Sequence, residues 1–192
     1  KPVLRLSAPA FPERRDPYYS DCLDTNWRIR NRTYAVAQHI PEKWGGHAKY
    51  FPHYGLMCHT FNFMVPRDEF FESHPEYFSQ QGGQRTNVQL CMSNPDVKRI
   101  AIERILKGLR ETPGVRMCDF SPNDGGTVCE CAPCKKINDT EGTNMGALLM
   151  AVNTIADAIK KEFPDVKIST LAYMDTFVPP KTIKPRDNVL IW

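Results

Sequence analysis

Apolar and polar positions fall into regular blocks over most of the chain. Asn94-Pro95-Asp96 opens a helix: Asn caps, Pro fits the first helical position and Asp complements the helix dipole. Its apolar positions, Val97, Ile100, Ala101, Ile105 and Leu109, recur at helical spacing until Pro113-Gly114 stops it. A second stripe, Met145, Leu148, Leu149, Val152, Ile155, Ala156 and Ile159, predicts a helix that closes with Lys160-Lys161, with Pro164 just beyond. Short continuous apolar runs over 54–61, 87–93, 115–120, 167–174 and 188–192 predict strands buried on both faces. Residues 67–78 read as a short helix interrupted at His74-Pro75, with Phe70, Phe71 and Tyr77 inward. The first fifty residues are less regular: Val3 to Leu6 alternates like a strand, and 18–30 fits a helix carrying Leu23, Trp27 and Ile29.

Strands buried on both faces and alternating with helices predict right-handed crossovers and a parallel sheet. The chain lacks a glycine-rich phosphate turn, and polar groups mark several strand ends: His59, Ser93, Asn123, Asp124, Tyr173 and Asp175. Both features favour an α/β (β/α)8 TIM-type barrel over a doubly wound sheet, because a barrel gathers such ends on one rim. Only five or six strands are counted where eight are usual, so the reading is an incomplete barrel with its C-terminal strands missing. Residues 1–50 form a segment entering the barrel, and 51–192 the partial barrel itself.

Composition narrows the partners. The 192 residues are 41% hydrophobic, enough for one sizeable core. A net charge of +3 without blocks of like charge gives no reason to expect a nucleic-acid partner. No apolar run reaches the roughly 18 residues that span a bilayer, so no membrane span is expected in this segment. The start at Lys1-Pro2-Val3 and the end inside an apolar run read as a piece of something longer.

The candidate chemistry centres on Ser121-Pro122-Asn123-Asp124-Gly125-Gly126, which follows a predicted strand. Asp124 should stand on an exposed rim, with the Asn123 amide beside it to orient a polar substrate group; the same residues also suit an Asx turn. His59 ends a strand and could bind hydroxyls or transfer protons, or be structural. Tyr173 and Asp175 sit equivalently on the next strand, an aromatic ring beside a carboxylate, as carbohydrate sites use. Trp27 with Arg30 suits stacking on a ligand ring, against the alternative of a core indole flanked by solvated arginines. Cys129-x-Cys131-x-x-Cys134 offers three thiolates to one tetrahedral ion, with Cys118 or Cys22 to complete a structural zinc site. A disulfide, again with Cys118 as a partner, is the competing reading.

Taken in order, His59-Thr60-Phe61, His74-Pro75-Glu76-Tyr77-Phe78, Gln89-Leu90-Cys91, Ser93-Asn94-Pro95, Ser121-Pro122-Asn123-Asp124-Gly125 with the cysteine motif, Leu171-Ala172-Tyr173 and Pro179-Pro180 resemble the bacterial domain of unknown function 4838. Part of that family is classed as glycoside hydrolase family 163. The resemblance covers about residues 27–192. It implies a (β/α) barrel in exported proteins of glycan-degrading bacteria, with endo-β-N-acetylglucosaminidase action on N-glycans and no catalytic cofactor. It casts Asp124 with Asn123 as the group that holds and polarises a 2-acetamido substituent. The general acid is then expected beyond Trp192, with Glu76 structural, Glu130 inside the cysteine motif, and this segment inactive alone. The alternative is a carbohydrate-binding or structural barrel without catalysis.

Overall fold

The structure, a computed structural model, describes residues 20, 24–31, 33, 43, 49–52 and 58–192. It divides into two compact units, Lys1–His47 and Ala48–Trp192. In the first, helix α1 (Thr25–Asn31) is capped by Asp24, whose carboxylate accepts from Trp27 N at 2.7 Å.

The second unit is built on four parallel strands, β1 (Lys49–Phe51), β4 (Val115–Asp119), β5 (Lys167–Thr170) and β6 (Val189–Ile191), ordered β1-β4-β5-β6. One register row joins Phe51, Cys118, Ile168 and Val189; the next row joins Asp119, Ser169 and Leu190 on the opposite face. Helix α4 (Pro95–Glu111) leads from β1 to β4, and α6 (Met145–Lys160) from β4 to β5. They pack on each other, α4 against β1 and α6 against β5 and β6, so both cover the face of the Phe51 row. Cys118, Ile168, Ile105, Val152 and Ile155 are fully buried there. The opposite face carries Met117 and a buried polar group, Asp119 with Ser169.

Helix α4 begins as its sequence dictates: Asn94 Oδ1 accepts from Asp96 N at 2.8 Å and Val97 N at 3.4 Å, with Pro95 in the first turn. Gly108 interrupts its apolar stripe because a Cβ there would stand 2.1 Å from the Phe51 ring of β1. Helix α6 is buried nearly all round. Asn153 on it accepts from Arg186 N at 3.1 Å and donates to Lys184 O at 2.9 Å, holding the segment that enters β6.

Several elements differ from the sequence pattern. Of the strand expected over 54–61, residues 53–57 lie outside the described residues, and its end is a loop leading into a single turn, α2 (Phe61–Met64). His59 has φ +59°, and both Thr60 N and Phe61 N donate to Ser121 O, so the backbone there is bound to a loop rather than a ladder. The helix expected over 67–78 is only α3 (Arg67–Phe70), followed by a 3-10 turn at Pro75–Tyr77, because Pro75 has no N–H to continue it. The run at 87–93 is not in the parallel sheet. It is the end of β3 (Gln84–Leu90), which forms an antiparallel hairpin with β2 (Phe78–Gln81) across Gly82-Gly83, both at positive φ. The pattern also missed α5 (Ala132–Glu141), which ends at Gly142 in the left-handed conformation. Glu141 at its end accepts from Thr182 N, Thr182 Oγ1 and Ile183 N, which fixes the return toward β6.

At most exposed helix positions Gly→Ala stabilises by about 1 kcal/mol. Gly108→Ala should reverse that sign and cost about 1–3 kcal/mol, because the Phe51 ring has to move; urea unfolding followed by circular dichroism reads the difference. Asp119→Ala, which strands the buried hydroxyls bonded to it, should cost about 3 kcal/mol in the same experiment, with Ser169→Ala costing less.

Candidate active site at the C-terminal ends of the strands

Asp119, the last residue of β4, is completely buried. Its Oδ2 accepts from Thr60 Oγ1 at 3.0 Å and from Ser121 Oγ, and its Oδ1 accepts from Ser169 Oγ on β5 at 2.6 Å. Thr60 Oγ1 in turn accepts from Ser121 N at 3.0 Å. The loops that follow β1 and β4 are thereby fastened to each other and to β5. This carboxylate escaped the sequence reading, since an Asp at a strand end gives no sign of whether it faces solvent.

On this base stand His59, Asp124 and Tyr173. His59 N donates to Ser121 Oγ at 3.1 Å, and His59 Nδ1 lies 2.7 Å from Pro122 O. A carbonyl only accepts, so Nδ1 carries the proton in this contact. The His59 and Tyr173 rings meet edge to face, with centroids 5.8 Å apart. Tyr173, from the loop after β5, donates its hydroxyl to Asp124 Oδ1 at 3.1 Å, and Gly125 N donates to the same oxygen at 2.9 Å. Asp124 is exposed. The hydrogen bonds from Gly125 N–H and then the Tyr173 hydroxyl hold its carboxyl below the ordinary range, and the same contact raises the Tyr173 phenol. Asp124 is therefore an ionised acceptor at neutral pH.

Asn123 serves the loop itself. Its Oδ1 accepts from Asn62 N at 3.2 Å and its Nδ2 donates to Val88 O at 2.7 Å. Gln89, which the sequence reading did not single out, braces the same turn: its Nε2 donates to Asn123 O at 2.8 Å and Gly125 O at 3.2 Å, while Asn123 N donates to its Oε1 at 3.0 Å. Asp175 accepts from Thr127 N at 2.8 Å, and a Cβ at Gly126 would lie 3.2 Å from its Oδ2. His59, Thr127 and Met174 all have positive φ, so three of the loop residues around Asp124 are conformationally costly. Next to Tyr173 lie exposed apolar side chains, Met174, Val178 and Phe177, the last 70% exposed. Beneath the loop is a cavity of about 40 Å³ lined by Phe61, Leu148, Asn144 and Thr176 among others, room for a few waters and not for a sugar ring.

The remaining expectations fall elsewhere. Trp27, half-buried, and Arg30, exposed, belong to α1 of the first unit. Glu76 pairs with His74 at 3.2 Å, and Glu130 accepts from Gly82 N at 2.8 Å, so each carboxylate is engaged away from Asp124. Cys129, Cys131 and Cys134 come together, but the fourth sulfur of the group is Cys91, at the end of the hairpin, and not Cys118. Cys118 points into the core under α4 and α6, where burial pushes its thiol up. Cys22 lies outside the described residues. None of the six described cysteines is in a disulfide.

Fold and site together define a parallel α/β domain whose loops after three adjacent strands, β1, β4 and β5, meet around one ionised carboxylate. The family described as "Domain of unknown function (DUF4838)" matches residues 3–192, and the chain belongs to it. No curated protein matches it in sequence. Among solved structures it is similar to a GH36 alpha-galactosidase, AgaA, from Geobacillus stearothermophilus. The complex with stachyose aligns at 15% identity and a TM-score of 0.35 over 52% of this chain and 14% of that one. The complex with raffinose aligns at 15% identity and a TM-score of 0.35 over 54% and 15%. The chain thus spans about a seventh of the length of those galactosidase chains. Among the described residues no helix is long and apolar enough to cross a membrane.

Tyr173→Phe should raise the pKa of Asp124 toward its ordinary value, read from the pH titration of the Asp124 side-chain carbon by NMR. Because the folded-state value is depressed, the ionised carboxylate favours the folded loop above its ordinary pKa, and that preference is lost as pH falls through the lower folded value. An unchanged titration in the variant would show that the hydroxyl does not engage the carboxylate.

Proposed function

We propose that this chain is part of a (β/α)-barrel glycoside hydrolase domain, an endo-β-N-acetylglucosaminidase acting on N-glycans by a substrate-assisted, retaining route. The observation that carries the reading is the meeting of His59, Asp124 and Tyr173 at the C-terminal ends of adjacent parallel strands, where α/β folds place their ligands. The barrel is favoured by a strand order that follows the chain without reversal, and by both crossover helices lying on one face. A doubly wound sheet would reverse its order and use both faces. Carbohydrate is favoured by an ionised carboxylate beside an exposed tyrosine and a rim of exposed apolar side chains, which suits the mixed hydroxyl and C–H surface of a sugar. The N-glycan substrate and export from the cell follow from the family resemblance of the motifs, and the glycoside hydrolase family 163 assignment belongs to the same proposal.

In the mechanism, Asp124 Oδ2 accepts the N–H of the 2-acetamido group, while Gly125 N and the Tyr173 hydroxyl hold Oδ1 still. The acetamido oxygen becomes the better nucleophile and attacks the anomeric carbon as the glycosidic oxygen leaves with a proton from a general acid. Water then opens the cyclic intermediate at the same carbon, restoring the acetamide and the original anomeric configuration. Asp124, kept ionised, suits the polarising role and not proton donation. Glu76 and Glu130 are engaged elsewhere, so neither of them is cast as the general acid.

The test is hydrolysis of a chitobiose-core N-glycan by the protein in the longest form its gene encodes, with products read by mass spectrometry. Asp124→Asn should lower kcat by roughly 10³-fold while changing KM little. Glycan binding without turnover by the unaltered protein would replace the hydrolase reading with carbohydrate binding alone.

A further inference from the structure

Four cysteine sulfurs converge beside the loop that carries Asp124. The Sγ atoms of Cys91, Cys129, Cys131 and Cys134 all lie within 4.8 Å of one another, and all four residues are buried. Cys91 Sγ stands 3.6 Å from Cys131 Sγ and 3.9 Å from Cys134 Sγ. A tetrahedron with metal–sulfur bonds of about 2.3 Å has edges of about 3.8 Å, so these spacings are those of four thiolates around one ion. A disulfide would draw two sulfurs to about 2.05 Å and push the others apart. An iron–sulfur cluster, which places bridging sulfides and more than one iron between its cysteines, would spread the four sulfurs more widely.

The surroundings are arranged for negative sulfur. Gln80 N donates to Cys129 Sγ at 3.3 Å and Ser93 N to Cys134 Sγ at 3.3 Å, the peptide N–H contacts that support a metal-bound thiolate. A zinc ion with four thiolates carries a net charge of −2, and two cations stand by it. The Arg85 guanidinium is 3.8 Å from Cys129 Sγ. Lys98 Nζ is held by Met92 O and Ser93 O in the turn that follows Cys91. The four ligands come from two separate stretches of chain: Cys91 just after β3, and Cys129, Cys131 and Cys134 where the loop after β4 runs into the first turn of α5.

We propose that Cys91, Cys129, Cys131 and Cys134 bind a single zinc ion tetrahedrally, as a structural site that clamps the β2–β3 hairpin to the 121–131 loop and to α5. The site is closed, with four protein ligands and no open position, so its role is to hold the loop and not to activate water. It is independent of the carbohydrate reading and survives if that reading fails. Zinc also occupies the thiolates that an oxidising compartment would otherwise pair.

The protein purified without added metal should contain one zinc per chain by elemental analysis. Its cobalt-substituted form should show the visible bands of a tetrahedral tetrathiolate site. Cys91→Ser should lose the ion while Cys118→Ser keeps it, which separates this ligand set from the one drawn from Cys118. Chelation under reducing conditions should lower Tm by roughly 10 °C and move the Asp124 titration toward its ordinary value. Should Cys91→Ser fail to fold, thiol mapping on the unaltered protein decides: Cys91, Cys129, Cys131 and Cys134 should all be alkylated in denaturant with chelator present. A disulfide that includes any of these four overturns the proposal. So does a protein that holds no metal, one that holds iron in place of zinc, or a Cys118→Ser variant that loses its zinc.

Discussion

The geometry at the C-terminal ends of the strands depends on the completely buried carboxyl group of Asp119, at the end of β4 and bonded across to β5. Taking a carboxylate out of water costs several kcal/mol, and only well-placed donors offset that cost. Here the hydroxyls of Thr60, Ser121 and Ser169 do so, each from a different segment. Satisfying one side chain therefore fixes three pieces of backbone at once. A hydrophobic replacement could fill the same volume, but it would impose no such register. His59 lies one residue before Thr60, and Asp124 three residues after Ser121, so the two groups at the site inherit their positions from this buried junction.

The loop beyond Ser121 is then held from a second direction. Gln89 bonds to the backbone at Asn123 and Gly125, and the Asn123 side chain bonds back to Val88 and Asn62, tying the hairpin and the α2 turn to the same six residues. The cysteine group anchors the far end of the loop against the same hairpin. Between these anchors the exposed Asp124 projects with one carboxylate oxygen accepting two hydrogen bonds. Residues at positive φ cost free energy unless the surroundings over-determine them, and anchors on both sides of the loop explain how Thr127 is held in such a conformation, as the bonds to Ser121 and Pro122 do for His59.

Much of this fold was legible in the sequence where local and tertiary signals agree. The stripes of α4 and α6 and the cap at Asn94 gave those helices within a residue or two, and the runs before Asp119 and after Val166 gave β4 and β5. The errors have a common cause. An apolar run does not say whether its partner strand is parallel, so the residues before Ser93 read as a sheet strand when Gly82-Gly83 turns them into a hairpin. Helix α5 has few apolar residues, and its first turn was hidden by its cysteines. At the site, Asp124 and Tyr173 do lie just past strands that the pattern marked, β4 and β5, whereas His59, expected at a strand end, lies in a loop at positive φ, and Asp175 lies in a 3-10 turn. Asp119 and Gln89 were not legible, because their importance lies in partners 50 and 34 residues away. Cys91 looked like a small buried hydrophobe; the signal for it was the Cys91-Met92-Ser93 turn just before a capped helix, a place where a backbone N–H can meet a neighbouring sulfur.

The division of labour among the acidic groups follows from their surroundings. Asp119 and Asp124 end and follow the same strand, five residues apart, yet one is sealed among hydroxyls and the other is exposed and held ionised by a peptide N–H and a phenol. A group that must donate a proton near neutral pH needs the reverse setting, an apolar surrounding that raises its pKa. Asp124, exposed and hydrogen-bonded in its charged form, lacks it. A carboxylate that stays charged, keeps one oxygen outward and is braced on the other can instead orient an N–H or stabilise developing positive charge. That setting is what supports the proposed role of Asp124 in holding and polarising substrate, while Asp119, though nearer the strand, bonds the scaffold on which Asp124 stands.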